Sequence, residues 1–441
     1  MSSQKLSQNI KDKLIQKTLQ HKLKKAENSG NGIASLLKST TSKQAKANRF
    51  DQHPGYQQMQ IIKNGAASLG IESPFFRTHE GVAGATSVIN GKEVINYASY
   101  NYLGLSGHPK VNQAAVDAIE QYGTSVSASR IVSGERPIHQ ALEAKLAHMY
   151  EVDDALAFVS GHATNVTTIG YLFGAKDLII HDEYIHNSSI VGAQLSGAKR
   201  LSFPHNDLDA LEALLAEKRH QFERVLIVVE GLYSMDGDHP DLARLVEIKQ
   251  QHYAFLMVDE AHSFGILGDS GKGLRELYQV AGKDVDIWMG TLSKTMSGCG
   301  GYIAGESALI EHLRYMAPGF LYSVGMPAPI AAAALASLEV MEQEPERIHQ
   351  LMHISKYFLD TAKSLGFNTG ESTGIAVIPI ILGSSVTAAK ASAALFEKGI
   401  NVQPILYPAV PEQSARLRFF LSCEHTEAQV RETLVLLKTL I

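Results

Sequence analysis

The 441-residue sequence predicts an α/β protein: a mostly parallel sheet with helices on both faces, followed by a smaller α+β domain. Two observations carry this. From about residue 93, short and nearly continuous apolar runs alternate with helical stretches, and each run ends in polar residues, the pattern of strands buried on both faces. After about residue 337 the pattern changes to two helical stretches, shorter strands and a final helix. Strand–helix alternation followed by a mixed tail specifies a layered α/β domain and a small partner.

The runs come in order: ALAFVS at 155–160, DLIIH at 177–181, RVLIVVE at 224–230, AFLMVDE at 254–260 and DIWMGTLS at 286–293. The stretch DLDALEALLAEKRHQF, 207–222, repeats its apolar residues at helical spacing between two of them. In the tail, IAVIPIIL (375–382) and RLRFFLS (416–422) read as strands, and TEAQVRETLVLLKTL (426–440) as the last helix. The expected organisation is a basic extension at 1–50, an N-terminal segment at 51–109, a large domain at 110–336 and a small one at 337–441.

The extension differs in charge. Residues 1–50 hold ten Lys and one Arg against Asp12 and Glu27, a net +9 within a chain of net −5. Leu6, Ile10 and Leu14, then Ile15, Leu19 and Leu23, recur every four residues, as on an amphipathic helix. Such an arm is either a solvated extension or a dock for an acidic partner or second subunit. The overall charge does not call for nucleic acid. Two cysteines, Cys299 and Cys423, make no disulfide scaffold and point to a reducing, cytoplasmic setting. No apolar run approaches the roughly 20 residues of a membrane span.

Ligands of open α/β sheets sit at the carboxyl ends of the strands, so the polar residues that end these runs are the candidate site. They are Ser160, Gly161 and His162; His186; Glu230 and Ser234; Asp259 and His262; Thr291, Ser293 and Lys294. Gly161, opening a helix, offers backbone N–H groups to a phosphate, and Thr291 and Ser293 add hydroxyls. An aspartate leaving a buried strand can keep a ring nitrogen protonated, and a lysine forms an imine with an aldehyde. Phosphate seat, ring-nitrogen partner and imine lysine together specify pyridoxal 5′-phosphate. VDEAH at 258–262 also looks like the acidic motif of helicase-type ATPases, but those need G-x-x-x-x-G-K-[ST]. The run GDSGKGL places Gly273 after its lysine, and the sequence contains no run of that form.

An ordered set of motifs carries a resemblance: SYNYLGL at 99, SGHATN at 160, HNSSI at 186, EGLYSMDGD at 230, VDEAHSFGILG at 258, GTLSKTMSGCGGYIAG at 290 and ARLRFFLSCEHT at 415. Over residues 93–441 the chain resembles the α-oxoamine synthases, fold-type I pyridoxal-phosphate acyltransferases. The resemblance implies a large domain with a mostly parallel seven-stranded sheet. It implies Lys294 as the imine lysine, Asp259 on the ring nitrogen, His262 and Ser234 at the 3-oxygen, and His186 over the ring. Gly161, the His162 backbone and Thr291 would hold the phosphate. Ser323, in YSVGMP, matches a contact made across a homodimer. Asn101 and Arg418 would bind the amino acid, Arg418 by a bidentate grip on its carboxylate.

The implied reaction is a decarboxylative Claisen-type condensation of a small L-amino acid with an acyl thioester, giving an α-amino ketone. Aminotransferase or aldolase chemistry on the same fold is the alternative, and no metal is expected. Two departures stand out. His162 occupies a place where relatives often carry an aromatic ring. TSVSASR, 124–130, replaces a glycine-rich run, with Ser129 where glycine-specific relatives tend to have threonine, leaving room for alanine or serine. With the basic arm, this resembles the subgroup serving carrier-protein pathways, which favours an acyl-carrier-protein donor over a CoA donor. The small residues Ser297, Gly298, Gly300 and Gly301 are expected to let backbone approach a flat ring beside Lys294.

Overall fold

The computed structural model describes residues 47–68, 70 and 72–441. The basic extension and its amphipathic repeat, residues 1–46, lie outside the described residues. The chain divides into two compact units, 1–73 and 74–441. In the first, a 3-10 turn at Phe50–Gln52 precedes helix α1, Pro54–Ser68.

The second unit is built on three sheets. A small one joins β1 (His79–Glu80), β2 (Thr86–Ile89) and β3 (Lys92–Asn96) to a late strand, Ile400–Asn401, that runs parallel to β3. The central sheet contains β4 (Asp154–Phe158), β5 (Leu178–Asp182), β6 (Lys199–Phe203), β7 (Val225–Glu230), β8 (Phe255–Asp259), β9 (Ile287–Thr291) and β10 (Gly301–Gly305). Its order is β4-β10-β9-β8-β7-β5-β6, and only β10 runs antiparallel to its neighbours. The third sheet, in the order β11-β14-β13, comprises β11 (Val377–Ile381), β13 (Gln403–Ile405) and β14 (Arg416–Phe420), β12 being the strand Ile400–Asn401 already described.

Each buried strand alternates between two apolar faces, which explains the continuous apolar runs. On β7, Val225, Ile227 and Val229 pack into one core layer, while Leu226 and Val228 pack into the other. Helix α2 (Pro109–Tyr122) and α3 (Pro137–Tyr150) precede the sheet; α4 (Gly161–Leu172) and α5 (Asn187–Ser196) follow β4 and β5. Ile169 of α4 and Ala193 of α5 cover one face together with Ile310 and Leu313 from α8, Ser307–Met316. Helices α6 (Leu208–Lys218) and α7 (Leu242–Gln251) place Leu211, Leu215, Leu242 and Leu245 against the other. Later helices are α9 (Ala328–Gln343), α10 (Glu346–Ser364), α11 (Ser385–Glu397) and α12 (Glu427–Leu440). Thr426 caps α12 in a reciprocal capping box with Gln429.

All five expected strands of the large sheet form. Two more, β6 and β10, were not among them. β6 pairs only with β5, at the sheet edge, and is mostly exposed, so KRLSF reads as polar. β10 is fully buried, but GYIAG carries two glycines and little apolar bulk.

Candidate active site

The carboxyl ends of β4, β5, β7, β8 and β9 converge on one cavity of about 370 Å³. Ser160, Gly161 and His162 line it from the start of α4; His186 from the start of α5; Glu230 and Ser234 from the end of β7 and the loop beyond. Asp259 and His262 follow β8, Thr291, Ser293 and Lys294 follow β9, and Arg418 reaches in from β14. A second cavity of about 360 Å³ shares Tyr100, Ser293 and Lys294 and adds Asn101. Lys294 therefore lines both.

The phosphate-binding expectation rests on the α4 terminus. The Ser160 side chain accepts from Ala163 N–H at 3.4 Å and its carbonyl from Thr164 N–H at 2.9 Å, leaving the Gly161 and His162 N–H groups directed out of the helix end. A Cβ on Gly161 would stand 2.9 Å from Thr291 Oγ1, so only glycine lets α4 start beside the β9 turn. That turn is closed by the Gly300 carbonyl, which accepts from Thr291 Oγ1 at 2.9 Å and Leu292 N–H at 2.9 Å. Gly300 and Gly301, after Lys294, serve this packing. A Cβ on Gly301 would meet Gly161 Cα at 2.7 Å, and one on Gly300 would meet Phe158 O at 2.6 Å.

Asp259 is buried, and its carboxylate accepts from Asn165 Nδ2 at 2.8 Å and Ala261 N–H at 3.0 Å. Beside it in the ladder stands Glu230. Burial, then the Asp259 charge, push the Glu230 carboxyl up to about 8. Burial pushes the Lys294 amine down to about 8, against the pull of Asp259 and Glu230. Its Nζ stands 5.5 Å from the centroid of the Tyr100 ring. His262 is buried with Nδ1 2.8 Å from Tyr102 OH, and burial followed by the Lys294 and Arg418 charges hold it well below the usual imidazole range. His186 caps α5 by accepting Ser188 N–H at Nδ1; burial lowers it too. The His162 ring stands edge-on to the His186 ring, centroids 6.5 Å apart.

Arg418 donates from Nη1 to Ser234 O at 3.1 Å, while its buried Nε has no acceptor. Its neighbour on the same strand, Arg416, donates to Met235 O and pairs with Asp236 at 2.6 Å. The two arginines thus pin the Ser234–Asp236 segment against the cavity. A buried guanidinium with no carboxylate partner is an anion receptor in waiting.

Not every expected residue reaches this cavity. The Asn101 amide brackets Ser106, accepting its N–H at 3.0 Å, and faces the second cavity. Ser129 precedes a one-turn π-helix, Arg130–Gly134, and its carbonyl accepts from Gly134 N–H. Ser323 Oγ donates to Val324 O at 3.2 Å. Neither serine lines either cavity within one chain. Conversely, Asn165, Ser188 and Tyr100 line the site without having been assigned a role. Asn165 and Ser188 stand inside the strand-end segments SGHATN and HNSSI; each being a polar residue in a helix's first turns at a strand end was the available signal.

A seven-stranded sheet with an aspartate, a lysine and a glycine-led helix at its carboxyl edge defines a fold-type I pyridoxal-phosphate enzyme. Residues 92–437 match the family model described as aminotransferase class I and II. The 8-amino-7-oxononanoate synthase of Symbiobacterium thermophilum is 40% identical over 371 residues, 84% of this chain and 94% of that protein. The solved serine palmitoyltransferase of Sphingomonas wittichii superposes with a TM-score of 0.84 at 28% identity, covering 88% of this chain and 97% of the other. A structure of SPT with its PLP internal aldimine gives a TM-score of 0.83 at 28% identity, with the same coverage. The chain belongs to the α-oxoamine synthase branch of the aminotransferase class I and II family.

Proposed function

We propose that this chain condenses a small L-amino acid (serine, alanine or glycine) with an acyl thioester, releasing CO₂ and free thiol and giving an α-amino ketone. The observation that carries it is the meeting of Lys294, Asp259 and the Arg418 guanidinium, which has no carboxylate partner and an Nε without an acceptor, in one cavity. Pyridoxal 5′-phosphate is the cofactor, and the residues fit it. The Asp259 carboxylate, already oriented by two donors, suits a protonated ring nitrogen. His262 and Ser234 would lie toward the 3-oxygen, His186 would cover the ring, and Ser160, the Gly161 and His162 N–H groups, Thr291 and Ser293 would seat the phosphate. Bound there, the cofactor supplies an electron sink for a carbanion at the amino acid's α-carbon.

The remaining work belongs to side chains. Arg418 takes the amino-acid carboxylate in its fork. Lys294, an amine that burial brings down to about 8, removes the α-proton, the property general-base lysines owe to burial. Glu230, held neutral beside Asp259 at neutral pH, keeps a second negative charge out of the site. Asn101 and Ser129 belong to the substrate side of the reading. Ser323 completes the phosphate seat of a second copy, which makes the working form a homodimer. The large domain, 110–336, carries the cofactor and the small one, 337–441, contributes Arg418.

The acyl donor is carried by an acidic carrier protein docked on residues 1–50, which hold a net +9. The setting is cytoplasmic. Among the described residues no helix is long and apolar enough to cross a membrane. An aminotransferase or aldolase of the same fold would need no thioester. The deciding experiment mixes the enzyme, amino acid and acyl thioester and measures thiol and CO₂ in equal amounts. Lys294→Ala should remove both, together with the visible absorbance of the cofactor-loaded protein. Thiol without CO₂, or neither, refutes the reaction.

A further inference from the structure

One side-chain amide joins two walls of the cavity. Asn165 lies in α4, is buried, and its Nδ2 donates both to Asp259 Oδ2 at 2.8 Å and to Ser188 Oγ at 2.9 Å. Ser188 Oγ is 2.7 Å from His186 Nδ1, and the Ser188 N–H points to the same nitrogen at 3.3 Å. The directions follow from chemistry. An ionised carboxylate only accepts, so the nitrogen end of the amide faces Asp259. The reversed amide would set oxygen against oxygen at that distance. With the amide donating to it, the Ser188 hydroxyl turns its own proton onto Nδ1, which leaves His186 with its proton on Nε2.

The oxygen end of the same amide is buried and accepts nothing. A polar group of this kind is unusual in a helix packed on a sheet, and an unpaired buried acceptor is a cost. The fold carries that cost to keep the donor end where it is. Both hydrogen bonds run from the α4 side chain to other elements, Asp259 on β8 and Ser188 in α5, so they serve the site rather than the helix.

We propose that Asn165 is a positioning residue that binds the Asp259 carboxylate and the His186 imidazole into one hydrogen-bonded unit. It acts through these groups and Ser188 and does not touch a reactant. The inference rests on the reading in which Asp259 holds the ring nitrogen and His186 covers the ring. Its consequence is that two residues from different elements, Asp259 at the end of β8 and His186 at the N-cap of α5, present fixed faces to the cofactor before it arrives.

The test uses the full-length holoenzyme and its apo form. Asn165→Ala should weaken pyridoxal-phosphate binding by about tenfold or more, the usual consequence of losing a hydrogen bond to a charged group. It should lower kcat while leaving KM for the thioester unchanged. A helix-packing role would not produce the next result: in an Asp259→Asn background the added Asn165→Ala penalty on cofactor affinity should shrink to within about twofold. Equal penalties in both backgrounds, or wild-type affinity and kcat, overturn the proposal. Should Asn165→Ala fail to fold, Asn165→Asp keeps its shape and sets acceptor against acceptor, so it should lose still more affinity; wild-type affinity there overturns the proposal equally. Ser188→Ala cuts only the His186 arm and should lower kcat with cofactor affinity held within about threefold; unchanged kcat overturns that arm. Failure of the underlying reading looks different, because Asp259→Asn alone then keeps wild-type turnover and both proposals fall together.

Discussion

Arg418→Met removes a buried guanidinium that has a cavity in front of it and an unpaired Nε. The side chain lies 4.6 Å over the Phe420 ring, and a methionine keeps most of that contact. Burial holds the guanidinium below its usual value, a sign that the free site strains against the charge. Two quantities should therefore move apart. Truncating one partner of a buried, hydrogen-bonded charge pair costs about 2–5 kcal/mol. At 1.36 kcal/mol per tenfold, the amino-acid Kd should rise roughly thirtyfold to several thousandfold. Without amino acid the guanidinium has no carboxylate to pair with, so an apolar side chain there gives up no ion pair. The apo variant should therefore unfold at the same urea concentration as the wild type, or higher. Titrating the loaded enzyme with amino acid and following visible absorbance gives the first quantity; urea denaturation of the apo protein gives the second. An unchanged Kd refutes the grip. A loss of apo stability as large as the loss of binding shows that Arg418 serves the fold through Ser234 and Met235 instead.

Three further outcomes follow from the same geometry. Gly161→Ala sets a methyl 2.9 Å from Thr291 Oγ1, so the start of α4 or the β9 turn must shift, and pyridoxal-phosphate affinity should fall by about tenfold or more; equilibrium dialysis of the cofactor checks it. Glu230 titrates near 8 when folded and near the ordinary 4.5 when unfolded, so its stabilising contribution is complete below about 4.5 and is lost as pH rises through about 8. Glu230→Gln should flatten the fall in apo stability between pH 5 and 8, by on the order of a few kcal/mol across that window, and an unaltered slope in pH-dependent urea melts would show that this carboxyl is ionised in the folded chain. Deleting residues 1–50 should raise KM for a carrier-bound donor, with the difference vanishing at high salt as screening removes the arm's charge; equal KM values at low salt would assign the arm no part in docking.

The sequence was legible where strands are buried on both faces and opaque where they are not. β4, β5, β7, β8 and β9 announce themselves because both pleats are apolar. β6, on the edge, spends its outward residues on Lys199 and Arg200, and carries the loop signature of any exposed segment. β10 hides for the opposite reason. Its apolar run is broken at both ends because Gly301 must admit Gly161 and Gly305 stands where a Cβ would meet Asp286 O at 2.8 Å. Local pattern reports burial well and close backbone approach poorly.

The site divides along the same line. Residues that end apolar runs were readable from position alone, and twelve of the fifteen expected site residues line the cavity with Lys294. Asn165 and Ser188 stand inside the strand-end segments but within α4 and α5, and their meaning lies in which atoms they touch. Arg418 shows both limits at once. The motif placed it in the site, yet only the coordinates reveal that its strand neighbour Arg416 takes Asp236, so that the arginine left without an acid is the one facing Lys294's cavity. Exchanging the two roles would give a neutralised cavity and a stray surface cation. Recognition of the amino-acid carboxylate therefore depends on the placement of Asp236, and Asp236→Asn should free Arg416 to withdraw from Met235 O and loosen the loop bearing Ser234. That variant should weaken amino-acid binding with Arg418 still in place, measurable by the same absorbance titration. Unchanged binding would show that Ser234 O holds Arg418 without help from its neighbour.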